Sequence, residues 1–197
     1  MDYFNYNRRQ SSVVQIGNKQ LGGNNPILIQ SMANVSTLDT NACVEQAIRI
    51  IDAGADYVRF TAQGIREAEN LGVIRQELTR RGYTNPLVAD IHFDYKLALA
   101  AVYAGVSGLR LNPGNIGGED KVRAVVEAVK PLNIPIRIGV NAGSLPKDLL
   151  EKYGHPTPEA LVEAAWRHIR ILESMDYRNI NISLKAHDVP LTIAAYR

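Results

Sequence analysis

Arg59, Arg110, Arg137 and Lys185 each stand within or at the end of a short apolar run: "DYVRFT", "SGLRLN", "IPIRIGVN" and "NINISLK". A guanidinium inside such a run is costly unless an anion or a hydrogen-bonding partner meets it. Side chains two apart on a strand share a face, which pairs Arg59 with Thr61, Asp90 with His92, and Arg110 with Asn112. The same rule aligns Arg137, Gly139 and Asn141, then Asn181, Ser183 and Lys185, and the first strand adds Gln30. Asp90 is the only carboxylate in the set. Three guanidiniums and an ammonium facing one carboxylate suit a ligand with several negative charges, and the guanidinium fork matches phosphate oxygens in pairs.

Two loops extend this reading. "NPGNIGG" (112–118) leads into a helix near Glu119, and "NAGS" (141–144) follows the fifth run. Backbone N–H groups in such turns can cradle an anion, although tight turns also need glycine for their own geometry. An isolated arginine in a strand usually marks an edge or the surface. Four cations at equivalent positions on four strands call for a shared anion instead. Asp90 and His92 offer two ligands, too few for a metal site, so their expected chemistry is to orient a substrate hydroxyl or transfer a proton. Cys43 reads as packing. Arg8, Arg9 and the arginines of "RQELTRRG" read as solvated charge.

The elements that must hold these groups follow from periodicity. From Pro26 onward, "ILIQS" (27–31), "DYVRFT" (56–61), "PLVADIH" (86–92), "SGLRLN" (107–112), "IPIRIGVN" (134–141) and "NINISLK" (179–185) read as strands. Helical patterns lie between them: Val44, Ala47, Ile48 and Ile51 recur at helical spacing, as do Val122, Val125, Val126 and Val129. Gly54 and Gly105 read as helix stops, and Thr157-Pro158 as a helix start. "VVQIGNKQLGG" reads as a short hairpin turning at Gly17-Asn18. The expected organisation is an N-terminal arm and hairpin over 1–25 and a substrate-binding barrel domain over 26–197.

Consecutive β-α units predict parallel strands joined by right-handed crossovers. A doubly wound nucleotide-binding sheet carries a glycine-rich turn after its first strand, and here that turn is "QSMANVSTLD". Polar groups gathered at the strand ends favour a TIM-type (β/α)8 barrel, represented here by about six units. The chain has 197 residues, 46% of them hydrophobic, which suits one or at most two domains. Its 22 basic and 20 acidic side chains leave a formal charge of +2, which argues against a general nucleic-acid or membrane-surface binder. The N-terminal "MDYFNYNRRQSS" lacks the apolar core of a signal peptide, and no apolar run approaches ~18 residues. A single cysteine forms no internal disulfide and holds no metal or iron–sulfur centre alone. A soluble, cytoplasmic protein is expected.

With these residues assembled, "ADYVRFT", "PLVADIHF", "LRLNPGNIG", "IRIGVNAGSL", "KYGHPTPEALVEAA" and "ISLKAHDV" resemble, in order and spacing, the N-terminal barrel of the 4-hydroxy-3-methylbut-2-enyl diphosphate synthase family. The resemblance runs from about Pro26 to Arg197. It implies an oxidoreductase of the methylerythritol phosphate route to isoprenoids. Such an enzyme converts 2-C-methyl-D-erythritol 2,4-cyclodiphosphate to 4-hydroxy-3-methylbut-2-enyl diphosphate by two-electron reductive dehydroxylation and ring opening. It further implies diphosphate binding by Arg59, Arg110 and Arg137, help from Asn112, Asn141 and Lys185, and Asp90 and His92 close to the substrate. A 4Fe-4S cluster held by three Cys and a Glu of a C-terminal domain, a ferredoxin or flavodoxin donor and a homodimer are implied for the full-length family. The cluster domain and two barrel strands lie outside this chain. Two other functions fit the residues alone: a Schiff-base aldolase using Lys185, and a non-catalytic diphosphate-binding module.

Overall fold

In the computed structural model, residues 9–197 are described; the N-terminal arm's residues 1–8, including Arg8, lie outside them. A two-stranded antiparallel hairpin, β1 (Val14–Ile16) and β2 (Lys19–Leu21), turns at Gly17 with φ 56°. Six parallel strands follow: β3 (Gln30–Met32), β4 (Tyr57–Ala62), β5 (Leu87–Ile91), β6 (Gly108–Arg110), β7 (Ile136–Asn141) and β8 (Ile180–Lys185). They pair strictly in chain order. Between them run α1 (Thr40–Asp52), α2 (Ile65–Arg80), α3 (Tyr95–Tyr103) and α4 (Glu119–Val129), then α5 (Lys147–Tyr153) with α6 (Pro158–Glu173), and α7 (Val189–Tyr196) closes the series.

The helices start and face as their sequences dictate. Asp39, Asp94, Thr157 and Asp188 each accept a first-turn backbone N–H with the side chain, a cap worth about 1 kcal/mol. Val122, Val125, Val126 and Val129 are all buried on α4; on α1, Val44 and Ala47 are buried while Ile48 and Ile51 are half-covered. Gly54 and Gly105 follow α1 and α3 with φ 102° and 83°, a backbone region that costs a side chain but not glycine. The strands' helix-facing residues, among them Phe60, Leu109, Ile136 and Ile138, are fully buried and form the core under the helices.

The opposite face of the sheet is polar and concave. Arg137 of β7 donates to the side-chain oxygen of Gln30 on β3 at 2.8 Å, although these strands stand four places apart. That bond is possible only because the sheet curls into part of a barrel wall. The hairpin closes the bottom of this wall. Val14 and Ile16 pack on Tyr57 and Val88 at the N-terminal ends of the strands.

The first strand differs from its expected position. "ILIQS" predicts 27–31, whereas β3 covers Gln30–Met32. Ile27 and Ile29 are exposed, and the Asp56 carboxylate takes the Ile29 N–H at 2.8 Å. The Ile29 carbonyl also accepts the Asp56 N–H at 2.8 Å, so the preceding residues lead from hairpin to sheet and meet β4 only at this last position. Within the six-stranded sheet β3 and β8 are the edges.

Candidate functional site

The strand register puts the expected side chains on one surface. Thr61 pairs with Asp90, Asp90 with Arg110, Arg110 with Arg137, and Arg137 with Asn181, so all five share the concave face. Met32 and Arg59 are paired one step away on the same face, as are Gly139 with Ser183 and Asn141 with Lys185.

Asp90 is the electrostatic centre. It is 4% exposed, with its carboxylate 3.6 Å from Arg59 Nε and 3.4 Å from Arg110 Nη1. One carboxylate thus serves two of the three guanidiniums, and both contacts are longer than a good charge-assisted hydrogen bond. Arg59 is the least satisfied. Its Nη2 reaches the Met32 sulfur at 3.1 Å, while its buried Nε has no hydrogen-bond partner. Burial lowers the Arg59 pKa, and repulsion from Arg137 and Arg110 adds to this against the opposing pull of Asp90. The Oδ1 of Asn181 is a second buried polar atom without a partner.

Arg137 has no carboxylate; its Nη1 goes to Gln30 and its Nε to Ser183 Oγ at 3.3 Å. Arg110 lies across Gly139, donating Nη2 to that residue's carbonyl oxygen at 3.0 Å. Its Nη1 sits 3.0 Å from His92 Nε2. A guanidinium only donates, so Nε2 is the accepting nitrogen and the His92 proton is on Nδ1. His92 lies just beyond β5, exposed, and Phe93 after it adopts φ 64° and is 78% exposed. A bulky residue in that region is strained, and this strain stands at the mouth of the site.

Asn112 is brought to the site but holds backbone. Its amide accepts the Gly139 N–H at 3.0 Å and donates to the Gly139 carbonyl at 2.8 Å, continuing the β6–β7 pairing after β6 has ended. Asn141 turns its side-chain oxygen to the Gly143 N–H at 3.1 Å. In "NPGNIGG", the Gly114 N–H is directed to His168 and the Asn115 N–H to the Asn112 carbonyl, so these two donors serve the loop itself. Lys185 is exposed at the end of β8 with no hydrogen bond or ion pair among the described residues. The period-two reading reaches Gln30, Asn181 and Ser183 but passes over Met32 and Tyr57, which the same rule would have added. His168, on α6, has no signal in the local sequence.

Gly139 is the narrowest point. A Cβ there would lie 2.5 Å from Arg110 Nε and 2.6 Å from Nη2. Gly139→Ala is therefore expected to drive the Arg110 guanidinium off its carbonyl and weaken anion binding at least tenfold in the full-length protein, with the fold retained. Titration calorimetry with inorganic diphosphate, beside a melting curve, checks this; unchanged affinity would show that Arg110 can bind from elsewhere.

Cys43 is fully buried, its thiol donates to the Ser36 carbonyl at 3.3 Å, and burial pushes its pKa up to about 11. It is a packing residue without thiolate character. Among the described residues no three His, Cys, Asp or Glu side chains group to hold a metal ion, and no helix is long and apolar enough to cross a membrane. Two surface grooves, about 590 and 450 Å³, lie on the outside around α6 and α7 and contain none of the arginines of the concave face.

Comparison with known proteins agrees with this layout. Solved structures with similar folds include 7,8-dihydropteroate synthase from Vibrio fischeri, with TM-score 0.61 and 15% identity over 94% of this chain and 71% of that one. Type I 3-dehydroquinate dehydratase from Clostridium difficile gives TM-score 0.63 and 15% identity over 90% and 70%. At such identities the likeness concerns the fold. In sequence, the chain is 53% identical over 190 residues to 4-hydroxy-3-methylbut-2-en-1-yl diphosphate synthase (flavodoxin) of Pseudomonas paraeruginosa, covering 96% of this chain and 50% of that protein. The corresponding protein of Marinobacter nauticus is 54% identical with the same coverage. The chain spans about half the length of the curated relatives it matches. The model of the GcpE TIM-barrel domain matches residues 11–197, and the chain belongs to that family.

Proposed function

We propose that this chain is the substrate-binding barrel of a 4-hydroxy-3-methylbut-2-enyl diphosphate synthase, gripping the diphosphate of 2-C-methyl-D-erythritol 2,4-cyclodiphosphate. The observation that carries the proposal is one carboxylate serving two of three neighbouring guanidiniums, with the Arg59 Nε buried and without a hydrogen-bond partner. Diphosphate oxygens would satisfy Arg59, Arg110 and Arg137, with Lys185 arriving as a charged ligand from the rim. Asn112 and Asn141 support the site by fixing Gly139 and the 141–144 turn. Asp90 holds Arg59 and Arg110 in place, and His92, beside Arg110, stands close to the substrate.

The residues of this chain do not fit an iron–sulfur cluster: there is one cysteine, and it is buried with a raised pKa. The electron-transfer half of the reaction therefore belongs to parts of the full-length protein beyond these residues, with flavodoxin as donor and a homodimer as the working assembly. The test is anaerobic turnover by the full-length protein with reduced flavodoxin and the cyclic diphosphate. Product formation that Arg59→Ala, Arg110→Ala and Arg137→Ala each suppress is expected; full activity in all three would reject the site.

The Schiff-base alternative makes a different prediction. Its lysine needs a desolvated amine, and Lys185 is exposed. Borohydride treatment with carbonyl substrates is expected to leave Lys185 unmodified by mass spectrometry, whereas a reduced adduct on it would favour an aldolase.

A further inference from the structure

The His168 ring is half-buried on α6, 54 residues along the chain from the turn it touches, and no strand-end argument accounts for it. The Gly114 N–H donates to His168 Nδ1 at 3.1 Å. The approach is close on both sides of that bond: a Cβ on Gly114 would stand 2.9 Å from His168 Cε1 and 3.1 Å from Nδ1. Gly114 is the middle of the turn Pro113–Asn115, which follows directly on Asn112, and Asn112 in turn clamps Gly139 beneath Arg110. A continuous chain of contacts thus joins the imidazole to the guanidinium.

We propose that His168 is a positioning residue for the diphosphate site: its neutral imidazole, accepting through Nδ1, fixes the 112–118 loop so that Asn112, Gly139 and Arg110 keep their geometry. This deepens the diphosphate reading and rests on it. Gly114 is exposed, so its N–H would find water if the imidazole were lost. The penalty for losing the bond then falls on loop order and ligand affinity more than on global stability.

The bond requires an unprotonated Nδ1. Burial lowers the His168 pKa below its ordinary value, and the neighbouring charge of Arg167 lowers it further. The turn facing the ring, Pro113-Gly114-Asn115, carries no titratable side chain, and the charge acting on the ring is that of Arg167 on its own helix. A depressed histidine pKa means the contact is intact above the ordinary value and lost as pH falls through the folded one.

The test uses the full-length protein, inorganic diphosphate as probe, and calorimetric titration at pH 8 and under acid conditions. His168→Leu keeps bulk without an acceptor; His168→Asn keeps an acceptor near the Nδ1 position but does not titrate. At pH 8, His168→Leu is expected to bind about fivefold more weakly, the worth of one hydrogen bond, with His168→Asn near the unaltered protein. The unaltered protein should weaken in acid more than His168→Asn does; the titration of diphosphate itself is common to both and cancels in the ratio. If His168→Leu does not fold, that acid ratio decides alone. Binding by His168→Leu equal to the unaltered protein, or an acid ratio that His168→Asn does not change, would overturn the positioning role. No diphosphate binding by the unaltered protein would instead overturn the anion site itself, and the proposal with it.

Discussion

Arg110→Ala in the full-length protein is expected to weaken diphosphate binding by about 10- to 150-fold, the 1.5–3 kcal/mol of a hydrogen bond to a charged group. The loss is large because Arg110 makes three contacts at once, to Asp90, His92 and the Gly139 carbonyl. Removing it also leaves Asp90, 4% exposed, with only the 3.6 Å contact to Arg59 and the more distant His92. A fall in stability of about 1–3 kcal/mol should accompany the lost affinity, since a buried polar group left short of partners is penalised. Arg110→Lys is expected to recover part of the stability and little of the affinity, because the ammonium cannot bridge two phosphate oxygens. Calorimetry and thermal melting on the same samples separate the two effects. Affinity unchanged in Arg110→Ala would remove the central claim about the site.

Asp90 supplies the converse experiment. Asp90→Asn leaves Arg59, Arg110 and Arg137 without any carboxylate on the concave face, so the free protein should melt earlier. A bound diphosphate then replaces the missing negative charge, and the rise in melting temperature on ligand addition is expected to exceed that of the unaltered protein.

The facing of Arg59, Asp90, Arg110, Arg137 and Lys185 was legible in the sequence for a physical reason. Strand side chains alternate with period two, and parallel pairing in chain order carries one face from strand to strand without inversion. The helical stripe of Val122, Val125, Val126 and Val129 was legible on the same grounds. What escaped is what depends on distant partners. Nothing near Asn112 says that its amide will close on Gly139, 27 residues away, and nothing near Gly114 points to His168. Glycines in "NPGNIGG" suggested a cradle of N–H donors, yet two of its donors are consumed by the loop and α6. The early start assigned to the first strand failed similarly: Ile27 and Ile29 have strand composition, but Ile29 pairs only with Asp56, just ahead of β4, and the regular β3–β4 register begins at Gln30.

The isolated 197-residue chain is expected to self-associate and to give no turnover of the cyclic diphosphate. A closed (β/α)8 barrel joins its first strand to its eighth and has no edge. Here six strands pair in a row, and among the described residues no further strand pairs with either end of it. Ile182 on β8 is 42% exposed, and Ile27 and Ile29 before β3 are 78% and 59% exposed, which gives each edge exposed apolar surface. One local contact blunts β8: the Tyr196 hydroxyl accepts the Leu184 N–H at 2.8 Å. α7 has only 8 residues and leaves Ile182 uncovered. Light scattering on the isolated chain should therefore show oligomers, and Ile182→Lys, which places charge on that edge, should raise the monomer fraction. Turnover fails for a separate reason, since one buried cysteine cannot carry a cluster and no other group here can accept and deliver two electrons. Weak diphosphate binding should survive in whatever fraction is folded, because Arg59, Arg110 and Arg137 come from strands inside the row. A monodisperse monomer would refute the edge argument, and product formed by that monomer with reduced flavodoxin would refute the assignment of redox chemistry to other parts of the protein.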